Sequence, residues 1–222
     1  MTYPCDRNVG GRPPATDHAA LVLTAMELFV KRGFDETSVD EIAAAAGISR
    51  RTFFRYFPSK SAVLWHGFDG EIAMMRELLT AADPDQPMLS AIHAAVVQTA
   101  RVRLVDVREL RARMTLINTV ETLKGPAALH YEGWVRAVSD FVARRTGVAE
   151  QSLFPVTVGR AVLATAMAAY DLWVDRGDRS LVAYLDEALG ALADGFDETA
   201  LRRRAARSVF TRRGPTEAVS RR

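Results

Sequence analysis

Ser38 to Lys60 reads SVDEIAAAAGISRRTFFRYFPSK, and the order of its signals decides the fold. Ser38 and Glu41 have capping-box spacing, so a helix is expected to start there and carry Ile42 and Ala43 inward. Gly47 takes the left-handed backbone of a sharp turn at little cost and ends that helix. Ser49 then caps a short helix whose Phe53 and Phe57, four residues apart, share a buried side. Helix, glycine turn and short helix form a helix-turn-helix pattern. With the phenylalanines as anchors, Arg50, Arg51, Thr52, Phe54 and Arg55 lie off the anchored face or near the N-terminal end that enters a major groove. Arginine pairs bidentately with guanine edges, and threonine or an aromatic ring meets a thymine methyl, so these five are the candidate base contacts. Tyr56 and Lys60 flank the helix and suit phosphates. From Gly47 to Lys60 there are three arginines, one lysine and no carboxylate. A solvated basic face is the plainer account of a charge run. Here the turn, the capping serines, the paired anchors and the local sign bias together favour DNA.

Outward from this stretch almost every segment has apolar residues at three- and four-residue spacing, which indicates an all-α chain of about nine helices. The first helix is expected from Thr16 or Asp17, burying Leu21, Ala25, Leu28 and Phe29 and ending at Gly33. Pro58-Ser59 restarts the chain, and one helix is expected from Ser59 to Ala81 with the stripe Leu64, Phe68, Ile72, Met75, Leu79. After the break at residues 83–87, helices are expected at about 88–104, 106–121, 126–146, 152–176 and 180–195. Pro126 then falls in a first turn, where proline is tolerated. The expected organisation is a flexible arm (1–16), a three-helix helix-turn-helix domain (17–66), a helical ligand-binding and dimerisation domain (67–197) and a basic tail (198–222).

The 222 residues are 49% hydrophobic and 25% charged, an ordinary globular composition with a net charge of +2. That charge is unevenly placed. Residues 199–222 hold eight arginines against Glu217, so the tail carries +7 and the rest −5. Local clustering, rather than global charge, has to argue for nucleic acid. Cys5 is the single cysteine and allows no internal disulfide, and the first residues hold no apolar run of a signal peptide, so a cytoplasmic location is expected. Arg160 and Asp171 interrupt the longest apolar stretch, which is read as a buried helix with no membrane role. His18, His66, His93 and His130 lack metal-ligand spacing. There is no phosphate loop, dinucleotide fingerprint or nucleophile elbow, so neither enzyme, metal nor cofactor is expected. A helical module binding only proteins would leave the basic cluster unexplained.

The run GFDETSVDEIAAAAGISRRTFFRYFPSKSAVL resembles the DNA-binding signature of the TetR family of regulators, closely over residues 17–66. The resemblance implies a three-helix DNA-binding domain, a divergent helical ligand domain and a homodimer formed chiefly by the last two helices. By family position Arg50, Arg51 and Thr52 would face the bases of double-stranded operator DNA, and Ser38, Tyr56 and Lys60 would touch phosphates. Phe54 replaces a tyrosine often found there, which removes a hydroxyl contact. RRTFFRYFPSK followed by Trp65, Phe68-Asp69, Glu71 and Met75-Arg76 is similar to the mycofactocin-system regulators, a subgroup associated with long-chain acyl-CoA effectors. Repression is the sign the family implies, with activation the alternative.

A regulator of this kind needs a small-molecule pocket, and Ile92, Val96, Met114, Ile117, Trp134, Val138, Phe141, Met167 and Trp173 are the candidates. For each one singly, core packing is the plainer account. Arginines 101, 103, 108, 111 and 113 either receive an anionic head group or, for most of them, form an exposed charged face. Small Ala161, Ala164 and Ala168, with the stripe Leu181, Leu185, Leu189, Leu192, are the expected dimer interface; packing within the monomer is the rival. Arg12, in the Gly-Pro arm, is a candidate for a minor groove, with a plain flexible terminus as the equal alternative.

Overall fold

Helical periodicity becomes nine α-helices and no strand among the described residues of the computed structural model, which are residues 18–195. They are α1 (His18–Arg32), α2 (Val39–Ala45), α3 (Arg50–Tyr56), α4 (Phe68–Thr80), α5 (Met88–Arg103), α6 (Val107–Thr119), α7 (Glu121–Thr146), α8 (Leu153–Arg176) and α9 (Leu181–Ala193). The chain forms two compact units that divide between His66 and Gly67. Arg12 and the arginine-rich tail lie outside the described residues.

In the first unit, Leu21, Ala25 and Phe29 of α1 meet Ile42 of α2 and Phe53 of α3 in a common core, with Phe57 and Leu64 also buried. Each of these leucine, isoleucine and phenylalanine side chains contributes about 1.5–3 kcal/mol when fully buried. Leu28, expected in that core, is half-buried, and Val22 and Met26 are buried instead. The helix expected from Ser59 to Ala81 is two elements. Ser61–Trp65 is a 3-10 turn that buries Val63, Leu64 and Trp65. Gly67 follows at φ +84°, a left-handed conformation that a continuous helix cannot contain and that glycine accepts without a Cβ clash.

In the second unit α8 packs along both α7 and α9. Gly159 is what lets α7 and α8 approach: a Cβ there would lie 2.5 Å from Ser139 Oγ and 2.8 Å from the Val135 carbonyl. Ser139 Oγ in turn donates to the Pro155 carbonyl at 3.0 Å. The helix expected from Pro126 begins five residues earlier, at Glu121, which leaves Pro126 inside α7. Interior proline costs about 3 kcal/mol. Leu123 and Ala127 are buried on that turn, and their packing offsets it. Among the described residues α8 alone is long and apolar enough to cross a membrane. It is buried along one stripe only (Pro155, Gly159, Val162, Ala166, Ala169, Trp173), not all round as its apolar sequence suggests.

Candidate functional site

The helix-turn-helix is assembled by local chemistry that the sequence announces. Ser38 Oγ accepts from the Glu41 N–H at 3.2 Å and the Ser38 N–H donates to Glu41 Oε2 at 2.8 Å, which closes the capping box. That backbone donor, with the Ser38 hydroxyl, holds the Glu41 carboxyl below its ordinary range. Gly47 turns the chain at φ +67°, and Ser49 accepts from the Thr52 N–H at 3.1 Å to start α3. Phe53 and Phe57 are both buried. At 100° per residue their shared face lies opposite Arg55 and nearly opposite Arg51.

The three arginines of α3 are not equivalent. Arg50 is tied to Asp40 of α2 at 2.8 Å and sits 5.3 Å from the centroid of the Phe54 ring. Arg51 and Arg55 are exposed and make no hydrogen bond or ion pair among the described residues, although Arg55 lies 5.2 Å from the Tyr56 ring centroid. Phe54 is 43% exposed, a large apolar surface beside them. Thr52 is half-buried, its hydroxyl 2.9 Å from that of Ser49. Tyr56 meets the His18 ring edge-on at 4.6 Å and is half-buried. Asp40 went unnoticed in the sequence because the run from Gly47 to Lys60 is carboxylate-free. The fold supplies an acid from the preceding helix, and an aspartate ten residues before an arginine carries no periodic signal.

Lys60 stands differently from its expected role. Its ammonium donates to the carbonyls of Phe34 at 2.6 Å, Thr37 at 2.8 Å and Asp35 at 3.4 Å, and lies 4.3 Å from the Phe34 ring centroid. An ammonium has three donors, and all three are spent inside the unit. Lys60 thus clamps the α1–α2 loop. Thr37, fully buried, completes that loop by donating to the Gly33 carbonyl at 2.7 Å.

The second unit holds a cavity of about 540 Å³ lined by Ile117 and Asn118 of α6, Lys124, Ala127, Ala128 and Tyr131 of α7, and Met167 and Asp171 of α8. Of the nine sequence candidates only Ile117 and Met167 line it. Ile92, Val96, Met114, Trp134, Val138, Phe141 and Trp173 are buried core residues, because a large apolar side chain inside a helical unit more often fills space than borders it. The lining that sequence missed is Ala127 and Ala128 with four polar side chains, Asn118, Lys124, Tyr131 and Asp171, of which Asn118 Nδ2 donates to Asp171 Oδ1 at 2.7 Å. The arginine-rich stretch is not one exposed face. Arg101 and Arg108 are exposed, but Arg111 sits 4.6 Å from the Trp173 ring centroid, Arg103 pairs with Glu71 at 3.0 Å, and Arg113 is buried against Glu109.

The expected dimer face separates into two parts. Leu181, Leu185 and Leu189 are buried within their own unit and Leu192 is half-buried, so three of these leucines are core. Ala164 and Ala168 are exposed and Ala161 is half-buried, in line with exposed Leu153, Phe154 and Leu172 on α8.

A helix-turn-helix joined to a helical unit with a small-molecule-sized cavity defines the class of one-component bacterial regulators. Residues 21–65 match the family of bacterial regulatory proteins of TetR type, and residues 86–197 match the MftR C-terminal domain. The chain belongs to the TetR family of transcriptional regulators, with a second unit of the MftR kind. It is 36% identical over 191 residues to the mycofactocin biosynthesis transcriptional regulator MftR of Mycobacterium tuberculosis, covering 86% of this chain and 94% of that one. It is 28% identical over 176 residues to the transcriptional activator FasR of Mycolicibacterium smegmatis, covering 75% and 78%. Among solved structures, Thermus thermophilus FadR in complex with lauroyl-CoA is 26% identical, with a TM-score of 0.55 over 80% of this chain and 94% of that one. Bacillus halodurans FadR, a fatty acid degradation regulator, shares the fold at 16% identity, with a TM-score of 0.61 over 82% and 96%. These relatives are regulators and not enzymes.

Proposed function

We propose that this protein is a cytoplasmic, homodimeric repressor that places two copies of α3 in successive major grooves of its operator, about 34–36 Å apart, and leaves DNA when a small effector fills the second unit. The observation that carries the reading is the pair Arg51 and Arg55, on the side of α3 away from the Phe53–Phe57 anchor and with no hydrogen bond or ion pair among the described residues. In this reading Arg51 and Arg55 take guanine edges, Phe54 and Thr52 meet thymine methyls, and Arg50 reads from a position set by Asp40. Ser38 and Tyr56 hold phosphates. Exposed Ala164 and Ala168 with half-buried Ala161 give a close-packing face for the second protomer. Anisotropy titration with DNA from upstream of the gene tests the reading, and no binding would reject it.

The effector is an amphipathic molecule, with long-chain acyl-CoA the first candidate. The lauroyl-CoA complex of a 26% identical regulator supports it. So does a cavity whose volume falls in the small-molecule range of about 300–1,000 Å³ and which joins Ile117, Ala127 and Met167 to Lys124. Long-chain acyl-CoA added to the protein–DNA complex is expected to release DNA, and no effect at saturation would reject it. Activation is the second reading, favoured by the similarity to the activator FasR. Reporter output rising on deletion of the gene selects repression, and falling output selects activation.

A further inference from the structure

α4, the first helix of the second unit, turns a carboxylate into the interior. Glu71 Oε1 lies 3.0 Å from Arg103 Nε in an ion pair, and the two side chains are only 17% and 15% exposed. From α6, the buried Arg113 acts electrostatically on the same carboxylate while paired with Glu109, whose Oε1 accepts from Arg113 Nε at 2.8 Å. Tyr170 of α8 and Tyr131 of α7 both lie within electrostatic reach of Arg103, and burial pushes both hydroxyls up. Tyr131 and Asp171, the residue after Tyr170, line the cavity. The Glu71–Arg103 pair therefore lies within electrostatic reach of the pocket wall at Tyr131.

Two guanidinium groups and two carboxylates balance to zero. Burying such ions costs several kcal/mol each, and apolar residues of similar volume often stabilise a fold as well, so stability alone does not explain the cluster. A third anion reaching Arg103 would leave the buried cluster with excess negative charge, and so competes with the Glu71 carboxylate for that guanidinium. That carboxylate, left buried without its partner, is most cheaply accommodated as the neutral acid. Burial already pushes the Glu71 carboxyl up to about 7, with the Arg103 and Arg113 guanidinium groups pulling it down and Glu109 adding to the rise.

We propose that the Glu71–Arg103 pair is a latch opened by an effector carrying an acidic head group: the head group takes the place of Glu71 on Arg103, and the released carboxyl takes one proton from solvent. The proposal rests on the second unit being the effector site and adds to it a partner for the acidic head group and a protonation step. The apolar tail lies on Ile117, Ala127 and Met167, and the head passes Tyr131. Opening removes the ion pair that holds α4 to α5, and α4 is the helix that follows the DNA-binding unit in the chain.

The test is isothermal titration calorimetry of the full chain at pH 8, in buffers of different ionisation enthalpy, with dodecanoate, lauroyl-CoA and neutral 1-dodecanol. An anionic probe is expected to bind with uptake of close to one proton and to weaken about tenfold per pH unit above pH 7.5. Glu71→Gln is expected to bind the same probe without that uptake and with a flat pH profile; the difference from wild type cancels the probe's own ionisation. Arg103→Met is expected to lose at least tenfold for the anions and little for dodecanol. Dodecanoate or lauroyl-CoA as the stronger probe identifies a carboxylate or a phosphate head. Binding of an anion to the wild-type protein with no proton uptake overturns the latch and leaves the effector site standing. Binding of none of the three probes overturns both.

Discussion

Replacing Lys60 by methionine separates a clamp from a phosphate contact. Methionine keeps the apolar stem and removes the ammonium. That ammonium makes two short hydrogen bonds, at 2.6 and 2.8 Å, to the Phe34 and Thr37 carbonyls, and lies 4.3 Å from the Phe34 ring centroid. Hydrogen bonds to charged groups contribute about 1.5–3 kcal/mol each, and half-exposure of Lys60 places these at the lower end. The ring contact adds about 0.5–1 kcal/mol. The first unit is thus expected to lose about 3–4 kcal/mol in Lys60→Met. Hydrogen exchange of the full chain measures this locally, with the amides of residues 33–48 exchanging at least a hundredfold faster. The slope of DNA affinity against salt, measured where the variant stays folded, should be unchanged. Unaltered exchange with a slope smaller by about 2, one phosphate lost per protomer of a dimer, would refute the clamp.

Gly159→Ala is expected to destabilise the second unit by about 1–3 kcal/mol despite the helix-propensity gain of about 1 kcal/mol, because its Cβ would drive α8 off Ser139 and Val135. Urea unfolding checks it, and a more stable variant would show that the crossing is looser than described. Glu71 is raised from 4.5 to about 7 by burial, so the folded protein binds the extra proton between those values. Stability therefore rises as pH falls from about 7 towards 4.5, and the gain is lost as pH climbs back through 7, by up to about 3 kcal/mol. Thermal unfolding between pH 5 and 8 should show this slope in the wild type and a flatter one in Glu71→Gln; equal slopes count against a buried charge. Ala168→Arg is expected to give a folded monomer by light scattering, with DNA affinity at least tenfold weaker, and a persisting dimer would place the interface elsewhere.

What could be read from sequence was whatever local chemistry encodes. The capping box at Ser38 and Glu41, the Gly47 turn and the Phe53–Phe57 spacing each depend on residues within four positions, and the structure has all three. Long-range partners were not legible. Nothing near Lys60 announces the carbonyls of Phe34 and Thr37, and Asp40 meets Arg50 only because the turn folds α3 back on α2. The second unit was least legible, because apolar spacing identifies inward faces without separating packed core from pocket wall. Trp134, Val138 and Phe141 were thus as eligible as Ile117 and Met167. The same ambiguity placed Leu181, Leu185 and Leu189 at a dimer interface, whereas they are buried in their own unit.

The most direct measurement is anisotropy titration of upstream DNA with single alanine variants of Arg50, Arg51 and Arg55. Each bidentate arginine–guanine pair discriminates by about 1–3 kcal/mol, and a dimer carries two copies. Arg51→Ala is expected to weaken binding at least a hundredfold and to relax preference at the base it reads, with Arg55→Ala next and Arg50→Ala, already shared with Asp40, the mildest. Full affinity and unchanged sequence preference in Arg51→Ala and Arg55→Ala would contradict the account, because no other exposed basic pair on α3 remains to read DNA.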